Sequence, residues 1–210
     1  MVKTFRFDNV ADEFCSNTYV VGEKGGPCIV IDLGTTSNKI VDYIKENFTT
    51  CNGVLITHGH WDHIRGLNNF FKVFNCTLFI DEQDAECLIN SRLNCSETME
   101  GKGKVNIEPY RLEDEDEIRF ENHLGFKVIE TPFHTKGSVC FLCEKEHCLF
   151  TGDTLFKGSI GRSDLPHSQV SMQVSSLEKL KKLDPNLIIY PGHGDCTTLE
   201  NELKNNIYLK

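Results

Sequence analysis

Positive charge is what this sequence has least of: 22 lysines and arginines face 31 aspartates and glutamates, for a net charge of −9. A nucleic-acid backbone or an anionic membrane is excluded as the main partner, because both require a positive field. Met1 to Val10 alternate charged and apolar side chains. They hold no apolar run of the length that a signal-peptide core or a membrane span needs, which predicts a cytoplasmic protein. Low-complexity tracts and short-period repeats are also missing, which leaves a globular domain.

At 210 residues the chain fits one domain. Such a domain buries about 70% of its unfolded surface, so its core requires neither disulfides nor a structural metal. A metal found here is therefore expected to be functional. Ten cysteines are present, at Cys15, Cys28, Cys51, Cys76, Cys87, Cys95, Cys140, Cys143, Cys148 and Cys196. They are scattered, mostly among apolar neighbours, and without an export segment they read as free thiols acting as small hydrophobes. Cys140 and Cys143, with Cys148 nearby, suggest a zinc knuckle. Inside a strand, however, a C-x-x-C pair points its sulfurs to different sides, and no second pair follows at zinc spacing.

The pattern begins with a short alternating segment, Lys3 to Asp8. Asn17 to Gly22 and Cys28 to Asp32 then form two β-branched runs joined across a glycine-rich turn, a β-hairpin. Thr36 or Ser37 caps a helix with Ile40, Val41, Ile44 and Phe48 at helical spacing. Strands follow at Gly53 to Thr57 and Thr77 to Ile80, and a helix capped by Asp81 runs to Ser91. Arg92 to Lys104 is polar and glycine-containing and reads as a long surface loop, a class that often serves as a lid or binding loop. Five strands are expected at Tyr110 to Leu112, Glu117 to Phe120, Phe126 to Thr131, Ser138 to Cys143 and Cys148 to Thr151. The acidic run Glu113 to Glu117 reads as a solvated turn. Ser168 to Leu183 is expected to be a helix with Val170, Val174, Leu177, Leu180 and Leu183 on one face. Leu187 to Tyr190 is a strand and Leu199 to Tyr208 a final helix. Two strand-rich halves, each with helices, bury both sets of apolar faces if two sheets pack together with helices outside.

The chemistry concentrates in Thr57-His58-Gly59-His60-Trp61-Asp62-His63, directly after an apolar strand. A loop past a strand end turns His58 and His60 to one side and Asp62 and His63 to another. Imidazole and carboxylate in that arrangement suit one or two ions of zinc, iron or manganese. The device recurs at three other strand ends: His134 in Thr131-Pro132-Phe133-His134-Thr135, Asp153 in Thr151-Gly152-Asp153-Thr154, and His193 in Pro191-Gly192-His193-Gly194.

With its H-x-H-x-D-H motif, the Thr131 to Ser138 and Thr151 to Phe156 stretches and the terminal Gly-His-Gly all in order, the sequence resembles the metallo-β-lactamase fold superfamily. Within it, the similarity is to short proteins like glyoxalase II (hydroxyacylglutathione hydrolase). The resemblance implies an α+β fold, an αββα sandwich of two mixed sheets with a dinuclear site along one sheet edge. It also implies one ion on His58, His60 and His134, a second on Asp62, His63 and His193, and Asp153 bridging. That set uses five of the eight histidines; His123, His147 and His167 match nothing in it and are expected at the surface.

Coordination lowers the pKa of water toward 7, so a metal-held hydroxide would be available to attack an acyl carbonyl. Asp62 would orient it and handle the proton, with no serine or cysteine nucleophile required. Arg162, in Gly158-Ser159-Ile160-Gly161-Arg162-Ser163-Asp164, is placed to meet a substrate carboxylate, or else is tied to Asp164. The expected function is a metal-dependent hydrolase cleaving a small-molecule thioester, with two divalent ions, zinc first and iron or manganese as alternatives. The Gly-Arg-x-Asp stretch also resembles mononuclear iron persulfide dioxygenases, and a lactonase of the same superfamily is a further alternative. Only 17 residues follow His193, so no separate C-terminal substrate domain is expected. The pocket then has to come from the sandwich and the Arg92 to Lys104 loop. Oligomeric state is left open.

Overall fold

A computed structural model describes residues 16–97, 103–121 and 124–210. The segment Lys3 to Asp8, Cys15 and His123 lie outside the described residues.

Two sheets form the body. In the first, β1 (Tyr19–Gly22) pairs antiparallel with β2 (Pro27–Ile31), and β3 (Thr50–Leu55), β4 (Thr77–Asp81) and β5 (Tyr110–Leu112) continue it in parallel. The second sheet comprises β6 (Glu117–Arg119), β7 (Gly125–Glu130), β8 (Val139–Cys143) and β9 (Cys148–Gly152), successively antiparallel. The two-stranded ribbon of β10 (Leu155–Phe156) and β11 (Ser159–Ile160) stands apart from it. β12 (Ile188–Pro191) then joins β9 in parallel, and β13 (Thr197–Thr198) closes the edge. The helices are α1 (Lys39–Asn47), α2 (Trp61–Ile64), α3 (Leu67–Phe70), α4 (Gln173–Leu180) and α5 (Leu199–Asn205).

Strand alternation sorts the apolar side chains into three cores. Val20, Val30 and Val54 face Ile40 and Ile44 of α1. Their strand neighbours Tyr19, Val21, Ile29, Ile31 and Leu55 face the other way, onto Phe126, Val128, Phe141 and Phe150 of the second sheet. Cys140, Leu149 and Ile189 cover the outer face of that sheet against Leu177 and Leu180 of α4 and Leu199 of α5. Helix, sheet, sheet, helix is the expected αββα order. Each fully buried Leu, Ile or Phe contributes roughly 1.5–3 kcal/mol, so the cores hold the layers without help from any ligand.

Four local expectations change. The helix expected from Asp81 to Ser91 is a 3-10 turn over Glu82–Leu88, still capped by Asp81. The helix at Ser168 to Leu183 is a 3-10 turn, Val170–Met172, followed by α4, and Val170 and Val174 are 63% and 71% exposed. A 3-10 turn advances three residues per turn, so it breaks the phase that would align Val170 with Leu177 and Leu180. At α1 the N-cap position is Asn38, without a side-chain cap; Ser37 Oγ instead accepts the Lys39 amide at 3.3 Å. The final helix ends at Asn205, with a separate 3-10 turn over Ile207–Leu209. The nine described cysteines are free thiols, and Cys140 and Cys143 do face opposite sides of their sheet.

Candidate metal centre

β3 delivers the chain to Thr57, where Asp32, just past the end of β2, organises the histidine loop. Asp32 is buried at φ 53°, and it accepts hydrogen bonds from the Thr57 amide and hydroxyl, both at 2.8 Å. His63 Nδ1 lies 2.8 Å from Asp32 Oδ2, which leaves Nε2 of that ring to face the opposite way. His60 is extended (φ −68°, ψ 149°) and starts α2, a one-turn helix that separates Asp62 and His63 from His58 and His60. The Asp62 carbonyl accepts from Ser16 Oγ at 2.9 Å.

Three nitrogens converge first. His58 Nε2 and His60 Nδ1 are 3.1 Å apart, and His60 Nδ1 and His134 Nε2 are 2.8 Å apart. Tetrahedral coordination at 2.0–2.1 Å sets donor atoms about 3.3 Å from one another, so the spacing fits a single ion on the three rings. The far nitrogens of two of these rings are held: His58 Nδ1 by Thr57 Oγ1 at 3.2 Å and His134 Nδ1 by the Arg162 carbonyl at 2.7 Å. Such contacts fix ring orientation.

A second group lies beside the first. Asp62 Oδ2 is 3.0 Å from His193 Nε2 and 3.7 Å from His63 Nε2. Asp153 lies between the groups, its Oδ2 3.4 Å from His134 Nε2 and its Oδ1 3.3 Å from His63 Nε2 and 3.7 Å from His193 Nε2. His63 Nε2 and Asp153 Oδ1 are buried without a conventional hydrogen-bond partner, and both point into this space. Glycine makes the crowding feasible. A Cβ on Gly192 would stand 2.3 Å from Asp153 Oδ1, and one on Gly152, at φ 47°, would stand 2.3 Å from Thr57 Oγ1.

The electrostatics match a cation-binding site. Burial holds His58 well below the usual imidazole range and His60 down at about 4, aided in both by neighbouring imidazoles. Neutral imidazole is the ligand form. Burial opposes charge on His63 too, but Asp32, Asp62 and Asp153 overcome it and hold this ring well above the ordinary range. Burial likewise works against the Asp153 carboxylate, yet His63, His134 and His193 keep it well below its ordinary range. All seven side chains singled out in the sequence therefore meet in one place.

A cavity of about 520 Å³ opens over them, walled by Trp61, Asn94, Cys95, Phe156, Arg162 and Leu165. Arg162 lines it as expected, and its guanidinium is also bound to Asp164 in a two-point pair at 2.6 and 2.8 Å. The segment from Arg92 is not simply a surface loop. Asn94 is fully buried, its carbonyl accepts the Trp61 amide at 2.8 Å, and Asn94 and Cys95 both reach the cavity. His147 is exposed, as expected, but His167 is not a surface residue: its side chain is 8% exposed and lies 3.1 Å from Asp84. Asp32 and Asp84 are the polar residues that the sequence did not announce. Their partners lie 25 or more residues away in the chain, so no local motif marks them.

A family model described as the metallo-beta-lactamase superfamily matches residues 11–193. The chain belongs to this superfamily. Among superfamily relatives, the hydroxyacylglutathione hydrolase GloC of Haemophilus influenzae is 28% identical over 201 residues, covering 93% of each chain. Among solved superfamily structures, the BLEG-1 B3 metallo-beta-lactamase superposes with a TM-score of 0.88 at 27% identity, covering all of both chains. TTHA1623, crystallised in a di-iron-bound form, gives 0.83 at 27% identity over 99% of this chain and 100% of that one. These superpositions agree with the αββα layering. Among the described residues, no helix is long and apolar enough to cross a membrane.

Proposed function

We propose that this superfamily member is a dinuclear metal-dependent hydrolase that cleaves a thioester of a small thiol. The observation that carries the reading is the division of the donors into His58, His60 and His134 on one side and Asp62, His63 and His193 on the other, with one oxygen of Asp153 turned to each. Zinc suits this nitrogen and oxygen set, and iron comes next, given the di-iron form of TTHA1623. Two divalent ions held by these residues would supply an activated water at neutral pH and polarisation of an acyl carbonyl.

The chain's own groups do the rest. Asp62, 27% exposed at the cavity, is the group that orients the attacking water and takes its proton. His134 and His63 are locked in orientation by the Arg162 carbonyl and Asp32, so their donor atoms need no rearrangement. Trp61, Phe156 and Leu165 give the acyl group or the thiol an apolar wall. Arg162 meets a substrate carboxylate by exchanging its exposed partner Asp164, an exchange that costs little because exposed ion pairs are weak. The thioester class is supported by the likeness to GloC.

The test is metal analysis coupled to a substrate panel of S-lactoylglutathione, other acyl thiols, lactones and a penicillin. The expected result is two metals per chain, turnover of thioesters, and loss of that turnover in His60→Ala. No thioester cleavage by metal-replete protein, with His60→Ala indistinguishable from its parent, sinks the reading. One iron per chain with oxygen uptake on glutathione persulfide replaces it with a persulfide dioxygenase.

A further inference from the structure

We propose that the buried pair Asp84 and His167 is a latch that positions the His58, His60 and His134 group without touching an ion. The proposal rests on the reading of that group as a metal site.

Asp84 sits in the 3-10 turn Glu82–Leu88, fully buried, and is none of the seven donors. Its Oδ2 accepts the Gly59 amide and the Thr135 hydroxyl, each at 2.7 Å. Its Oδ1 accepts the Gly137 amide at 2.7 Å and faces His167 Nε2 at 3.1 Å. Gly59 lies between His58 and His60, and Thr135 and Gly137 follow His134. Both chain segments that supply the three converging nitrogens are thus tied to one carboxylate.

His167 brings in a third segment. The loop from Gly161 to Gln169 supplies the Arg162 carbonyl that orients His134 Nδ1. Its far end is fastened by Ser168 Oγ to the His134 carbonyl at 2.7 Å and by the Gln169 amide to the Phe133 carbonyl at 2.9 Å. Between these ties His167 is held at φ 74°, a conformation uncommon for histidine, with Nε2 shared between Asp84 and the Gln83 carbonyl at 2.9 Å. Backbone strain of about 1–3 kcal/mol persists only where its surroundings impose it. Here it is imposed by a tight turn, closed by the Ser168 amide on the Leu165 carbonyl at 3.1 Å with Pro166 and His167 at its centre, and the ring so placed meets Asp84.

Asp84, Cys87 and His167 also stand close enough together to suggest a third metal site. The carboxylate argues otherwise. It offers roughly four lone-pair directions, and four donors already occupy them. The third member argues the same way: an ion needs the Cys87 thiolate, and burial, with Asp84 and Glu86 nearby, pushes that thiol far above its ordinary range. Asp32 does the matching work on the other side, through Thr57 and His63. Asp32 also reaches the first group, because the Thr57 hydroxyl it holds lies 3.2 Å from His58 Nδ1.

The experiment uses the full chain, stripped by chelator and titrated with Zn²⁺ against a chromophoric competitor, so no substrate is involved. His134→Ala identifies which binding class belongs to the three histidines. His167→Asn keeps a residue tolerated at positive φ but is too short to reach Asp84. It is expected to weaken that one class by roughly 10–100-fold, the usual effect of losing an outer-shell partner, and to leave the other class unchanged. His167→Gln, which reaches further and keeps an N–H donor, is expected to recover most of the loss. The Co²⁺-substituted protein should show a changed visible spectrum in His167→Asn and a parental one in His167→Gln. Unchanged affinity in His167→Asn, equal weakening of both classes, or no recovery in His167→Gln overturns the latch. A third Zn²⁺ equivalent that vanishes in Cys87→Ser overturns it in favour of a metal site. A parent that takes up no metal removes the reading beneath it instead.

Discussion

The seven converging side chains were readable from four strand ends, where glycine or proline lets the chain leave the sheet, and Asp62 and His63 from the short motif that begins at one of them. Asp32 was not, although it is as central. It follows Ile31 at a strand end like the others, but its partners Thr57 and His63 are 25 and 31 residues away, and only the parallel pairing of β2 with β3 brings them together. Its importance is testable in Asp32→Asn. An amide keeps the shape but cannot accept from Thr57 and His63 at once, so the His63 ring loses its orientation. Metal retained by the Asp62, His63 and His193 group should weaken about 10–100-fold, measured as metal content after dialysis at fixed free Zn²⁺, while Thr57 keeps the loop folded.

Asp81 carries a different signature. Burial, with Glu130 and Asp84 nearby, lifts its carboxyl from 3.8 to about 7. Its Oδ1 caps the following turn through the Gln83 amide, while Oδ2 is buried without a donor. The folded chain thus binds this proton more tightly than the unfolded one. The contribution to stability is complete below about pH 4 and is lost as pH rises through 7. Asn at this position still caps and carries no charge. The urea midpoint of Asp81→Asn minus that of the parent, both metal-stripped, should therefore grow between pH 4 and 7 and level off above. A difference that stays flat across that range contradicts the assignment.

At the scale of elements, the strands were legible and the helices less so, for a physical reason. Alternation fixes a strand's faces over four or five residues, as in Tyr19–Gly22 and Val139–Cys143, whereas a helix must hold phase through several turns. Val170 matches a helical stripe with Leu177 and Leu180, but the 3-10 turn ahead of α4 breaks the phase, while Val174, inside α4, falls outside the buried face of Ser176, Leu177 and Leu180, so both lie in solvent. The connections matter most to the site. β9 ends at Gly152, whose φ of 47° turns Asp153 toward the donors over the Thr57 side chain. Gly152→Ala adds a Cβ 2.3 Å from Thr57 Oγ1 and 2.6 Å from Thr57 Cβ. The left-handed backbone alone costs about 1–3 kcal/mol, and Thr57 must also move. The expected outcome is a lower melting temperature together with poorer metal retention. Leu180→Ala, in the core beneath α4, should cost a comparable or larger 2–5 kcal/mol yet leave metal retention intact below its melting temperature. Measuring both readouts on both variants separates damage to the turn from damage to the fold.

For the whole molecule, the arithmetic of charge connects the site to stability. Among the described residues, Asp32, Asp62 and Asp153 gather around His63, which they hold protonated well above its ordinary range. In the metal-free chain this imidazolium is a cation of the second donor group, where Asp62 and Asp153 also hold His193 above the ordinary range against its burial, so an ion entering there must displace a proton. The three apolar cores surround the site without including it, which means the fold survives metal removal while losing the free energy of binding. At free metal a thousandfold above the dissociation constant that energy is about 4.1 kcal/mol. For a chain of this size each kcal/mol shifts the melting temperature by roughly 2–4 °C. Chelation should therefore lower the melting temperature by about 8–16 °C for each ion removed, with the far-ultraviolet circular dichroism unchanged at 25 °C. Because His63 gives up a proton on binding, Zn²⁺ affinity should rise with pH across the neutral range. Calorimetric titrations in two buffers of different ionisation enthalpy should differ by the heat of the released proton. Equal heats in the two buffers would mean that His63 is already neutral before the ion arrives, and the carboxylates around it would then need another counter-charge.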